Sequence, residues 1–201
     1  MSVEWLGRSQ MSHVEARAQV VRAFGVVFGR EPSMQEAQFA QAMALCETRY
    51  GSGWSKVCGG AGEGSNNVGA IQAGTPPCGK NAFECIDTHE DGTKYAACFR
   101  SYATIEAGFD HFITILYLKR PRVLSMAGSS IEGFSTELRA SGYFELALER
   151  HILLITECLR TVTKALGEPM PPIAPSTPLS KKVLDLAVVG GAGYLIWKYL
   201  L

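Results

Sequence analysis

The sequence has no excess of either charge: 19 Lys and Arg stand against 19 Asp and Glu, a formal net charge of +0. Nucleic-acid partners require a basic surface, so that class is excluded, and long-range attraction to an anionic polymer is weak. Met1-Ser2-Val3-Glu4-Trp5-Leu6-Gly7-Arg8 lacks the apolar core of a secretory signal, so export is expected to use another route. No cysteine spacing matches a zinc signature. His89-Glu90-Asp91 reads as a solvated hairpin tip, because metal ligands must come from separated, converging positions. No metal and no cofactor is expected.

What is present is a chain of 201 residues with 47% hydrophobic content, enough for one core and tails. Ser12-His13-Val14-Glu15 and Ser33-Met34-Gln35-Glu36 both have the form of a capping box, so a helix should begin at each. The first is expected to bury Val14, Ala18, Val21 and Phe28, to end at Gly29 and to leave His13 in solvent. In the second, Ala37, Ala40, Ala44 and Glu47 fall on one stripe, with Gly51 just past the end. A carboxylate thus takes a core-side position in the last turns. Partial burial and the negative end of the helix dipole both favour its protonated form. A carboxyl held protonated near neutral pH can give its proton to a leaving oxygen, the acid half of glycoside hydrolysis. The plain alternative is a solvated glutamate at a helix end.

From Gly51 to Gly74 the chain is too rich in glycine for regular structure and should wrap a site rather than build core. Within it Asn66 and Asn67 carry amides suited to acetamido and hydroxyl groups, and Gly69 permits close backbone approach; an asparagine turn is the local alternative. Residues 83–99 should form a hairpin about a type I′ turn at Asp91-Gly92. That register sets Cys85 opposite Cys98 at a close, non-hydrogen-bonded pair suited to a disulfide. Cys58 and Cys78 would close the glycine-rich loop, leaving Cys46 and Cys158 as buried thiols. Cys85, Asp87 and His89 share one strand face, making Asp87 a candidate second carboxylate.

A helix starting after Ser101 or Thr104 should bury Ile105, Phe109, Phe112 and Leu116 and stop at Pro121, with His111 off that stripe and exposed. Short helices near 123–127 and 130–140 follow, then a long one burying Leu148, Ile152, Ile155, Leu159 and Val162.

Four blocks in order, Glu47-Thr48-Arg49-Tyr50-Gly51-Ser52-Gly53-Trp54, Asn66-Asn67-Val68-Gly69-Ala70-Ile71-Gln72, Phe99-Arg100-Ser101-Tyr102 and Ser141-Gly142-Tyr143, resemble the lysozyme-like superfamily. The match is nearest to its flagellar-type glucosaminidase branch, glycoside hydrolase family 73, and spans roughly residues 15 to 165. The resemblance implies a mainly α, α+β lysozyme-like domain with a helical lobe and a small β-hairpin lobe. It implies cleavage of the β-1,4 glycan of peptidoglycan, with Glu47 as the acid and Tyr50, Asn66, Asn67, Gln72, Tyr102 and Tyr143 holding the sugars. Tyr143 has a structural alternative, packing between helices. Asp87 activating water would make a hydrolase; attack by the sugar's own hydroxyl would make a lytic transglycosylase. A glycan-binding or structural module on the same fold is the rival of another class.

The expected organisation is a catalytic domain over 1–167, a proline-rich linker over 168–181 and a hydrophobic helix over 182–201. The run from Val183 to Leu201 has about the length of a membrane span, with Tyr194, Trp197 and Tyr199 as interfacial anchors. Either a membrane or a protein assembly would receive it. Together with the cysteines, it suggests a bacteriophage product carried in a virion that contains a membrane.

Overall fold

The computed structural model describes residues 11–51, 54, 58, 62, 64–89, 93–144 and 146–172. The linker beyond Pro172, the apolar run 183–201 and the Asp91-Gly92 turn lie outside the described residues. Among the described residues, no helix is long and apolar enough to cross a membrane.

Among the described residues, six α-helices and one small sheet appear in the order α1 (His13–Phe28), α2 (Met34–Thr48), β1 (Gln72–Gly74), β2 (Ala82–Thr88), β3 (Lys94–Arg100), α3 (Ile105–Ile113), α4 (Pro121–Ala127), α5 (Ile131–Ala140) and α6 (Leu148–Leu166). A π-helical turn, Thr114–Leu118, joins α3 to α4, which carries Pro121 in its first turn. Both capping boxes form, Ser12 with Glu15 and Ser33 with Glu36, and Gly29 closes α1 at φ 67°. Thr104, not Ser101, caps α3.

The centre of the helical lobe is α2, buried on nearly every side and packed on α1, α4 and α6. A helix enclosed all round must be apolar or have its polar groups bonded, and α2 meets this apart from Gln38 Oε1, which is buried without a partner. Its buried polar residues are bonded: Gln41 donates to the His13 carbonyl at 2.7 Å, and Gln38 donates to the Pro169 carbonyl at 3.0 Å. That second bond, with the Arg17–Glu168 ion pair, fastens the start of the proline-rich segment to the helical body, and Pro171 is buried there.

The face of α1 differs from expectation. Its core residues are Ala16, Val20, Ala23 and Phe24, whereas Val14 is 67% exposed. Apolar residues occur around most of this helix, so periodicity alone leaves its rotation open, and the fit of Phe24 against Tyr117 fixes it.

The sheet has the order β1-β3-β2 and is antiparallel throughout. Cys85 pairs with Ala97 and Cys98 with Glu84, one residue away from the expected register. His89 N–H bonds to the Thr93 carbonyl at 2.9 Å, so three residues, not two, separate the closing pair. A one-residue slip reverses every face, and Cys85 and Cys98 therefore point to opposite sides of the sheet. The expected Cys85–Cys98 and Cys58–Cys78 bridges are replaced by Cys58–Cys85 on one face and Cys78–Cys98 on the other. Cys46 and Cys158 are not free thiols either: they join α2 to α6.

The glycine-rich loop also contributes core, against expectation. Trp54 and Cys58 pack with Phe83, Cys85, Ala97 and Phe99 into a second small cluster over the sheet. Gly62 lies so close to this indole that a Cβ there would stand 2.5 Å from the Trp54 ring.

Candidate active site

Glu47 is the penultimate residue of α2 and is half-buried, as a helix stripe running from core to surface requires. The helix stops immediately afterwards. Arg49 and Tyr50 both turn left-handed, at φ 50° and 61°, and Gly51 follows at φ 86°. The Tyr50 N–H reaches back to the Ala44 carbonyl at 3.1 Å, closing the last turn. Left-handed backbone costs a residue with a Cβ about 1 kcal/mol. Surrounding contacts must therefore hold it.

Tyr50 is one such contact. Its hydroxyl lies 2.7 Å from His13 Nδ1 and accepts from Gln41 Nε2 at 3.3 Å, and burial pushes the phenol pKa up. With 3% exposure, Tyr50 is an anchor for the helix end and not the sugar contact the resemblance implied. The same bond leaves His13 half-buried rather than in solvent, and burial lowers its pKa.

The second block is tied directly to this helix end. Thr48 Oγ1 donates to the Val68 carbonyl at 2.8 Å and accepts from Gly51 N–H at 2.8 Å. Asn66 and Ala70 are again left-handed, at φ 54° and 48°. Asn67 is fully buried: its Nδ2 donates to the carbonyls of Ile71 and Arg100, each at 3.0 Å, and its Oδ1 accepts from Ile71 N–H at 2.9 Å. Both Nδ2 hydrogens are used and the side chain is fully buried, so Asn67 splices the loop to β3 out of reach of a sugar. Asn66 is half-buried and donates to the Tyr102 carbonyl at 2.9 Å, keeping its side-chain oxygen for other partners.

From the far side, α3 presses on the same loop. A Cβ on Gly108 would come within 1.9 Å of the Asn66 carbonyl oxygen, and one on Gly69 within 2.3 Å of the Phe112 ring. Tyr102, half-buried, sets its hydroxyl 2.6 Å from His111 Nδ1, and burial pushes its pKa up to about 12. His111 is thereby half-buried rather than exposed; burial first, then Arg100 and Lys119, lower its pKa. Tyr143 donates to the Gly69 carbonyl at 3.4 Å, and the Arg120 guanidinium lies 5.0 Å above its ring.

Gln72 continues from this loop into β1 and meets Asp87 and Tyr95 on the sheet. Tyr102 and Tyr143 thus bond to one short segment, 66–72, which Thr48, the chain neighbour of Glu47, ties to the end of α2. Sequence reasoning missed His13, whose partner Tyr50 lies 37 residues away, and His111 and Tyr95, whose partners Tyr102 and Asp87 lie in the preceding segment or strand.

No family model matches the chain, and no curated protein matches it. Solved structures do. A peptidoglycan hydrolase from Sphingomonas sp. A1 aligns at a TM-score of 0.52 with 21% identity, covering 85% of this chain and 100% of that one. A mutant of the Sphingomonas enzyme aligns at 0.50 with 23% identity, covering 74% and 92%. The glycoside hydrolase domain of Salmonella typhimurium FlgJ aligns at 0.47 with 19% identity, covering 78% and 91%. The chain therefore has the lysozyme-like fold of the Sphingomonas peptidoglycan hydrolase, a helical lobe carrying a small antiparallel sheet.

Proposed function

We propose that this protein is a peptidoglycan glycosidase that cleaves β-1,4 glycan bonds with Glu47 as the general acid. One observation carries the reading. All four left-handed residues other than glycine among the described residues, Arg49, Tyr50, Asn66 and Ala70, fall in the two segments beside Glu47. Backbone held in such conformations concentrates where a site must be pre-organised. The fold shared with a peptidoglycan hydrolase supports the substrate class.

In this reading the Glu47 carboxyl protonates the glycosidic oxygen as the bond to the anomeric carbon breaks. Asn66 holds the sugars from the loop, Tyr102 from the segment before α3 and Tyr143 from the segment between α5 and α6, while Tyr50 and Asn67 keep the loop and helix end in place. The cationic sugar is then captured either by water or by its own hydroxyl. Zymography on cell-wall material tests the acid: Glu47→Gln should abolish the clearing zone, with turnover down about 10²- to 10⁴-fold. Undiminished clearing by Glu47→Gln would sink the proposal, and wall binding without clearing by wild type would identify a glycan-binding module. Mass spectrometry of the released sugars separates the two captures, since only the second yields anhydro ends.

A further inference from the structure

Asp87 lies in the hairpin where a second carboxylate was expected, but it is 1% exposed. Its Oδ2 accepts from Gln72 Nε2 at 2.9 Å and from the Tyr95 hydroxyl at 3.0 Å, and Gln72 Nε2 also donates to that hydroxyl at 3.1 Å. Asp87 thus faces the nitrogen of the Gln72 amide and not the oxygen. Both Nε2 hydrogens are then used. Gln72 sits on the exposed edge strand β1, leaving its Oε1 as an acceptor for a ligand. Beside it the Tyr95 ring is stacked on exposed His89, with centroids 4.2 Å apart and planes at 19°.

An acceptor of fixed orientation next to an aromatic stack matches an N-acetylated sugar, whose acetamido N–H donates and whose C–H face packs on rings. We infer that Asp87 is a positioning residue, and that it orients Gln72 and Tyr95 as a subsite for an N-acetyl group of the glycan. This rests on the function proposed above and assigns Asp87 no part in activating water.

Asparagine at 87 can donate to Gln72 Oε1, which lets the amide turn over and present N–H₂ outward. Asp87→Asn should therefore raise KM for N-acetylated glycan strands about 10-fold with kcat within about 3-fold, and shrink the preference over N-deacetylated strands. Gln72→Ala, at an exposed edge that does not threaten folding, should do the same. A kcat loss of more than about 100-fold at unchanged KM, restored by azide, would make Asp87 a catalytic carboxylate and overturn the inference. Binding separates this from failure of the parent reading. In a Glu47→Gln background, calorimetry with a tetrasaccharide of alternating N-acetylglucosamine and N-acetylmuramic acid should show about 10-fold weaker binding on adding Asp87→Asn or Gln72→Ala. Equal binding by all three proteins overturns the subsite alone, whereas no binding by the Glu47→Gln protein overturns the subsite and the proposed function together.

Discussion

His151 shows how a single buried group makes stability depend on pH. It stacks on Phe144 with ring centroids 3.8 Å apart, and its Nδ1 has no hydrogen-bond partner. Burial lowers its pKa from 6.5 to about 3. Between those values the unfolded chain binds a proton that the folded chain refuses, so the folded state loses ground as pH falls and is unaffected above pH 6.5. The loss between pH 7 and pH 4 amounts to about 3 kcal/mol. Urea midpoints measured at the two pH values should converge in His151→Phe relative to wild type. An identical pH slope in both proteins would show that the ring is not the group responsible.

The same scale explains which candidate residues the sequence places correctly in the fold. Glu47 is legible because its position on a helix stripe is a local property of four residues. Asn67 is misread because an amide's role depends on what fills its bonding capacity, and its partners at Arg100 and Ile71 are set by how β3 closes on the loop. Tyr50 fails likewise, since its partner His13 lies 37 residues away.

Among the elements, α2 and α6 form the pair that supports Glu47. Cys46, its chain neighbour, is bonded to Cys158 on α6 across a sequence separation of 112. Closing a loop of that length restricts the unfolded chain by about 4 to 5 kcal/mol in the entropic account. The double variant Cys46→Ala, Cys158→Ala should lower the free energy of unfolding by roughly that amount in chemical denaturation. The bridge over the shorter separation of 20, Cys78–Cys98, should cost about 1.5 kcal/mol less when removed. Equal losses for both would contradict a mechanism based on loop length. The helix ends were readable beforehand because capping boxes and Gly29 act within one turn. The hairpin register was not, because one added residue in the turn preserves every local signal while exchanging the faces.

For the molecule as a whole, the equal count of 19 basic and 19 acidic residues removes the usual long-range route to an anionic wall. Under the function proposed above, recognition of the wall would come from short-range contacts along loop 66–72 and the β lobe. Binding of wild type to purified sacculi should change less than about 3-fold between 50 and 300 mM salt, measured by pull-down. A steep decline with salt would reveal a localised basic face that the net charge conceals.

The sequence by itself determined where α1 and α2 begin and where α1 ends, that Glu47 sits in the last turn of α2, and that an asparagine-glycine loop follows it. Those properties arise from hydrogen bonds and side-chain spacing within a turn or two of chain. Tertiary structure alone decided the rotation of α1, the partners of all six cysteines, the burial of Asn67 and Tyr50, and the bonding of Asp87 to Gln72 and Tyr95. Each of these depends on which distant segment fills the last contact, and a pattern confined to one segment carries no record of that choice.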